Sequence, residues 1–145
     1  MADARSMAIL SPKSTRNIVG TSRIAGFACN LQLSDDFVAD GFKSPDTYSQ
    51  YYAYPIDGPA VYAFVVIDTD TYLNGLVAYV GMSRNLEQRW ISHPVLPMIS
   101  RPGFHVKRWF KPVAKDDLRR IEREYIQRFD PPWNLQGRKR GVQFA

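Results

Sequence analysis

Two runs of β-branched and aromatic residues, Val61 to Ile67 (VYAFVVI) and Leu76 to Gly81 (LVAYVG), stand on either side of one short polar stretch, Asp68 to Gly75. Side chains of this kind crowd the preceding turn of a helix but fit a pleated sheet, so each run reads as a strand. A connection this short calls for an antiparallel pair, since a parallel crossover needs a dozen residues or more. Whatever else the chain forms must pack on that hairpin.

Helices and a further strand follow it. Asn85 is placed to cap a helix, with Gln88 in the capping-box position, and Pro94 is expected to end that helix after about two and a half turns. Phe104 to Phe110 (FHVKRWF) alternates as a third strand, and Asp116 and Asp117 favour the start of a helix running to about Phe129, before Pro131 and Pro132. The order over residues 58–135 is β-β-α-β-α, an α+β domain with a small antiparallel sheet flanked by helices. Residues 1–57 are read as an N-terminal extension packed on this domain, with short strands within Ile24 to Leu33 and turns around Asp40 and Ser44. Tyr48, Tyr51, Tyr52 and Tyr54 suit core or rim packing better than base stacking. Residues 136–145 form a basic tail.

A chain of 145 residues, 45% hydrophobic and 23% charged, is long enough for one globular domain that buries roughly two-thirds of its unfolded surface without a disulfide. Cys29 stands alone, which excludes a disulfide framework and a thiolate zinc site and suits a reducing compartment. No stretch approaches the eighteen apolar residues of a membrane span, and the opening MADARSMAILSPKSTRN lacks the apolar core of a secretory signal. The expected location is the cytoplasm. A net charge of +5 favours an anionic partner, nucleic acid being the commonest for a small basic domain.

The residue that breaks the pattern is Glu122. On a helical wheel Leu118, Ile121, Tyr125, Ile126 and Phe129 share a stripe roughly 140° wide, and Glu122 falls inside it, whereas Glu124 lies outside beside Arg120. A carboxylate among core-facing positions is paired to an arginine, protonated or bound to a cation, because an isolated buried charge is too costly to keep. In the first helix Leu86 and Trp90 make the apolar ridge, while Arg89 and His93, four residues apart, share the neighbouring face.

With Tyr62, the stretch Ala78 to Trp90 (AYVGMSRNLEQRW), His93, Glu122 and Pro131 to Asn134 (PPWN) in this order, residues 58–135 resemble the GIY-YIG nuclease family. The family's first signature appears as Ala60-Val61-Tyr62 and its second as Tyr79-Val80-Gly81. Arg89 falls at the family's active-site arginine, and His93 at a position that is histidine in its restriction-enzyme branch. Asn134 follows Glu122 by twelve residues after a proline pair, the spacing of the last motif, which selects Glu122 over Glu124. Ala60 replaces the first glycine, and Met82 stands where some members carry lysine.

The resemblance implies an endonuclease that hydrolyses DNA phosphodiester bonds with one Mg²⁺ or Mn²⁺ ion per active site, held by Glu122. Arg89 would hold the phosphate through its planar fork of donors. Tyr62 would orient or deprotonate the attacking water, with Arg89 or the metal lowering its pKa. Tyr79 and His93 would complete the hydrogen-bond network, His93 being a second candidate for proton transfer, and Asn134 would pin the loop after the last helix. Arg84, Arg101, Lys107, Arg108, Lys111 and the cluster Arg138, Lys139, Arg140 are read as contacts to the phosphates of double-stranded or branched DNA, bound by a monomer or a homodimer. Two other readings are a non-catalytic nucleic-acid-binding module on the same scaffold and an unrelated basic subunit whose motifs coincide. No zinc-ligand cluster, glycine-rich phosphate loop or Gly-x-Ser-x-Gly supports other chemistries.

Overall fold

The computed structural model describes residues 18–45, 58–100 and 103–134. Three two-residue strands come first, β1 (Arg23–Ile24), β2 (Phe27–Ala28) and β3 (Leu31–Gln32), then one π-helical turn over Leu33–Val38. Next are β4 (Ala60–Ile67), β5 (Asn74–Ser83), the helices α1 (Leu86–Ile91) and α2 (Val95–Ser100), and β6 (Val106–Pro112). A 3₁₀ turn at Lys115–Asp117 leads into helix α3 (Leu118–Phe129). β1 and β2 make a small hairpin; the rest form one sheet in the order β3-β5-β4-β6, antiparallel throughout.

The sheet is covered on both faces, which is why β4 is continuously apolar rather than alternating. Val61, Ala63, Val65 and Ile67 face α3 and the π turn, packing with Leu118, Tyr125 and Phe129. Ala60, Tyr62, Phe64 and Val66 face α1 and α2, packing with Leu86, Trp90, Val95 and Ile99. β5 would repeat this alternation but for a bulge: Phe64 pairs with Tyr79 while Val65 pairs with Val77, so Ala78 is the extra residue. Ala78 and Tyr79 both turn to the α1/α2 face, and Val77 and Val80 to the α3 face. Without that extra residue Val77 and Tyr79 would share a face.

The N-terminal segment closes both edges of the sheet. β3 pairs with the start of β5 (Leu31 opposite Gly75, Gln32 opposite Asn74), and at the far edge Lys43 and Phe110 exchange two backbone hydrogen bonds of 2.8 Å. Between those anchors Phe37 stacks on Phe42 at 4.0 Å and meets Trp109 and Phe129 edge-on, both at 5.8 Å. Beyond β3, the open edge of β5 is filled by side-chain amides and one loop N–H. The Asn30 carbonyl accepts the Val77 N–H at 2.7 Å, the Trp133 N–H donates to Ala78 at 2.9 Å, and Asn134 binds Val80. Such pairing satisfies groups that are otherwise buried without partners or left open to another strand.

One expectation from the sequence needs correction. The helix capped by Asn85 does close before Pro94, at Ile91, but a second short helix, α2, follows at once, so the order from residue 58 is β-β-α-α-β-α rather than β-β-α-β-α. Pro94 and Pro97 sit before and within the first turn of α2, where a missing N–H costs nothing because no intrahelical acceptor exists there. Asp116 and Asp117 stand at the start of α3 as expected, in the 3₁₀ turn that leads into it, with Asp117 at the N-cap position and its carboxylate ion-paired to Arg120 (3.3 Å) rather than bonded to a backbone N–H. Among the described residues, no helix is long and apolar enough to cross a membrane. Tyr48, Tyr51, Tyr52 and Tyr54 lie outside the described residues, as does the tail.

Asn30 also donates to the Phe129 carbonyl at 2.9 Å, so its amide joins β5 to the end of α3. Asn30→Ala leaves a buried donor and a buried acceptor unpaired, at about 1–3 kcal/mol each. Urea denaturation should show a loss of roughly 2–5 kcal/mol; a near-neutral variant would mean that another group closes this edge.

Candidate active site

The α1/α2 face of the sheet gathers Tyr62, Tyr79, Arg89 and His93, whereas Glu122 belongs to α3, which packs on the opposite face. Tyr62 is opposite Gly81 in the register of β4 and β5, and its ring takes the space of the missing side chain: a Cβ on Gly81 would lie 2.6 Å from both Cζ and Oη of Tyr62 and 3.0 Å from the Tyr79 ring. Tyr79 follows the bulge, its ring 6.2 Å from that of Tyr62. Both phenols are buried, Tyr62 being only 1% exposed.

His93 occupies the break between α1 and α2 and is 3% exposed. Its Nδ1 accepts the backbone N–H of Val95 at 3.1 Å, and its Nε2 is 2.7 Å from the Tyr62 oxygen. A backbone N–H can only donate, so the neutral ring keeps its proton on Nε2 and donates to Tyr62. Burial, and secondarily the Arg89 charge, lower the His93 pKa to about 4. The ring is therefore neutral at ordinary pH, with its one lone pair already engaged. It acts as a donor to Tyr62, and the expected role for His93 in proton transfer does not fit this geometry.

Arg89 stands on the exposed side of α1 and reaches both tyrosines, its hydrogen bond to Tyr62 being the largest influence raising its own pKa. The expectation that a cation lowers the Tyr62 pKa is met only in part. Arg89 pulls it down, but burial first and Tyr79 second outweigh that pull and hold Tyr62 above the ordinary phenol range. Glu122 also raises it, which places the carboxylate within electrostatic reach of the phenol.

Glu122 lies half-buried on α3 and, among the described residues, makes no ion pair or hydrogen bond. Burial raises its pKa against the opposing effect of Arg119 and Arg123. Among the described residues no three His, Cys, Asp or Glu cluster to hold a metal. An unpaired carboxylate alone nevertheless suits a hard divalent cation that takes its remaining ligands from water and phosphate oxygens.

Asn134, 4% exposed, is not part of this cluster. Its carbonyl accepts the Val80 N–H and its NH₂ donates to the Val80 carbonyl, both at 2.7 Å, so it fixes the strand between Tyr79 and Gly81 rather than meeting a substrate. Arg84 is exposed where β5 enters α1. Arg108 is half-buried, 4.8 Å over the Trp90 ring, and Lys107 is half-buried in β6. Lys111 bonds Tyr125 at 3.1 Å and lies 3.8 Å from Asp40, so it serves the fold. Arg101, Arg138, Lys139 and Arg140 lie outside the described residues. Sequence reasoning missed Asn30, which no motif marks, and the steric demand on Gly81. A cavity of about 490 Å³ opens beside the cluster, lined by Trp90, Ile91, Ser92, His93, Pro94 and Leu96 among others.

No family model, no curated protein and no solved structure matches this chain. The reading of the cluster therefore rests on its own geometry.

Two measurements test that geometry. Gly81→Ala forces the Tyr62 ring aside, an overpacking cost of about 1–3 kcal/mol, and should shift the His93 ring signals in NMR; unchanged signals would show that the ring is not held against Gly81. The second concerns pH. The folded His93 pKa is depressed below its unfolded value near 6.5, so its contribution to stability is present above 6.5 and lost as pH falls towards 4. The loss is about 3 kcal/mol on that shift, and His93→Gln should abolish this component of the pH dependence.

Proposed function

We propose that this chain is a divalent-metal-dependent endonuclease of the GIY-YIG type, hydrolysing phosphodiester bonds of DNA. The observation that carries the reading is the joint placement of Tyr62, Tyr79, Arg89 and His93 in one hydrogen-bonded cluster within electrostatic reach of an unpaired, half-buried carboxylate. Structural ion pairs bring their charges into contact, whereas Glu122 feels Arg119 and Arg123 only at a distance and pairs with neither. Such unpaired charge is characteristic of sites that bind something.

Hydrolysis of a phosphodiester requires an aligned water, neutralisation of charge on the phosphoryl oxygens and stabilisation of the leaving alkoxide. Arg89 uses part of its donor fork on the two phenols and is exposed, so its remaining N–H groups can bind phosphoryl oxygens while the tyrosines fix its orientation. Tyr62 rests as a neutral phenol and orients the water. Its oxygen accepts from donors already in place, the Nε2–H of His93 and the Arg89 guanidinium, which leaves its own O–H free to point at that water. Tyr79 adds a second anchor for Arg89. Glu122 would hold the Mg²⁺ or Mn²⁺ ion, which when bound supplies Lewis-acid stabilisation of the leaving oxygen and favours the phenolate. Asn134 keeps the strand that carries Tyr79 in register.

The test is cleavage of labelled duplex, branched and single-stranded DNA and of RNA, with Mg²⁺ and with EDTA, by the wild type and Glu122→Gln. The expected result is metal-dependent cutting of DNA that falls roughly 10²–10³-fold or more in the variant, the scale of removing one charge-stabilising group. The variant should be at least as stable as the wild type, since it removes a half-buried charge with no partner. Salt-sensitive binding without cutting by either protein would instead favour a nucleic-acid-binding module on this scaffold.

A further inference from the structure

Helix α3 sorts its charges by face. Arg120 pairs with Asp117 and Glu124, both at 3.3 Å, on the side facing solvent. Arg128 pairs with Asp36 of the π turn at 2.6 Å. Arg119 and Arg123 are different. Both are exposed, and among the described residues neither makes a hydrogen bond or an ion pair; what they share is an electrostatic influence on Glu122. Their spacing of four residues puts them about 40° apart on the wheel and about 6 Å apart along the axis. They therefore line one border of the apolar stripe, on the side where Glu122 emerges.

Like charges at this spacing repel one another and weaken a helix. The pair lacks the compensation given to Arg120 and Arg128, and if Glu122 is committed to a cation the border carries uncancelled positive charge beside that residue. Guanidinium groups in that position match phosphate oxygens through forked, charge-assisted hydrogen bonds. We propose that Arg119 and Arg123 form a backbone-phosphate site beside Glu122, gripping the phosphodiesters that flank the one presented to Arg89; this rests on the nuclease reading above. The contact is sequence-independent: it sets the position of the strand across the site and reads no base.

The experiment measures binding alone, in the Glu122→Gln protein, where the two arginines have no carboxylate to neutralise and no cutting complicates the reading. A labelled short DNA duplex is titrated at several salt concentrations with this parent, with Arg119→Ala/Arg123→Ala added to it, and with Arg120→Ala added to it. Loss of two phosphate contacts should lower the slope of log K against log salt by about 1.8 and weaken binding roughly 10–100-fold at 0.1 M salt. Arg120→Ala should change the slope by less than about 0.5, and circular dichroism should show all three proteins folded. Equal slopes for the double variant and the parent would overturn the proposal. So would an equal loss with Arg120→Ala, which would reduce the effect to net charge, or no binding by the parent. Wild-type cleavage is scored separately: no cutting with the slope difference present sinks the nuclease reading and leaves the phosphate site standing, and cutting with equal slopes does the reverse.

Discussion

Across the β4–β5 pair, the ring of Tyr62 fills the volume that any side chain at position 81 would need. Glycine there is a demand of space rather than of backbone conformation. With the ring in that space, its oxygen meets His93 and Arg89. The bulge at Ala78 serves the same end from the other strand. It lets β5 satisfy the α3 face with Val77 and Val80 and still deliver Tyr79 to the site face two residues before Gly81. The register of a single hairpin thus positions both phenols and, through them, the arginine.

That register is protected by parts of the chain that carry no chemistry. A strand edge left open at Val77 to Val80 could slip or recruit a partner. Asn30 and Asn134 prevent this from opposite ends of the described chain, each offering an amide that imitates a neighbouring strand's backbone. Asn30 brings the N-terminal segment with it, and the same segment reaches the other edge at Lys43, with Phe37 and Phe42 buried between. Fully burying a side chain of that size is worth about 1.5–3 kcal/mol. The N-terminal segment thus belongs to the main sheet through β3 and Lys43, and it braces the strands that carry the candidate site.

The sequence showed the hairpin and α3 clearly because both rest on strong local patterns: unbroken β-branched runs in one, a periodic apolar stripe in the other. Glu122 was legible for the same reason, as the exception to a pattern. α2 was not, since six residues with one proline inside and another just before have too little periodicity to announce a helix. The bulge was hidden because nothing local marks Ala78; it follows from which faces Val77 and Tyr79 must serve. Short strands within Ile24 to Leu33 were expected, but strands of two residues leave no alternation to read, so their number and order emerge only from their pairing. The rise in the Tyr62 pKa was missed because burial is a property of the whole packing, whereas the neighbouring cation could be guessed from spacing. The contact of Arg108 with the Trp90 ring was equally invisible, since the two lie far apart in sequence and meet only across the packed sheet.

The break between α1 and α2 binds helix capping to the chemistry of the site. Pro94 has no N–H, so the first free donor of α2 belongs to Val95, and His93 takes it with Nδ1. A neutral imidazole has one donor and one acceptor; with the acceptor spent on the helix, the donor must face Tyr62. His93 could accept the tyrosine's proton only by turning over its tautomer and setting Nδ1–H against the Val95 N–H. Protonation in acid produces the same clash, but leaves the Nε2–H bond to Tyr62 intact. Acid therefore strains the cap of α2 before it disturbs the tyrosine, and the short helix that the sequence concealed is what holds His93 in its role as a donor.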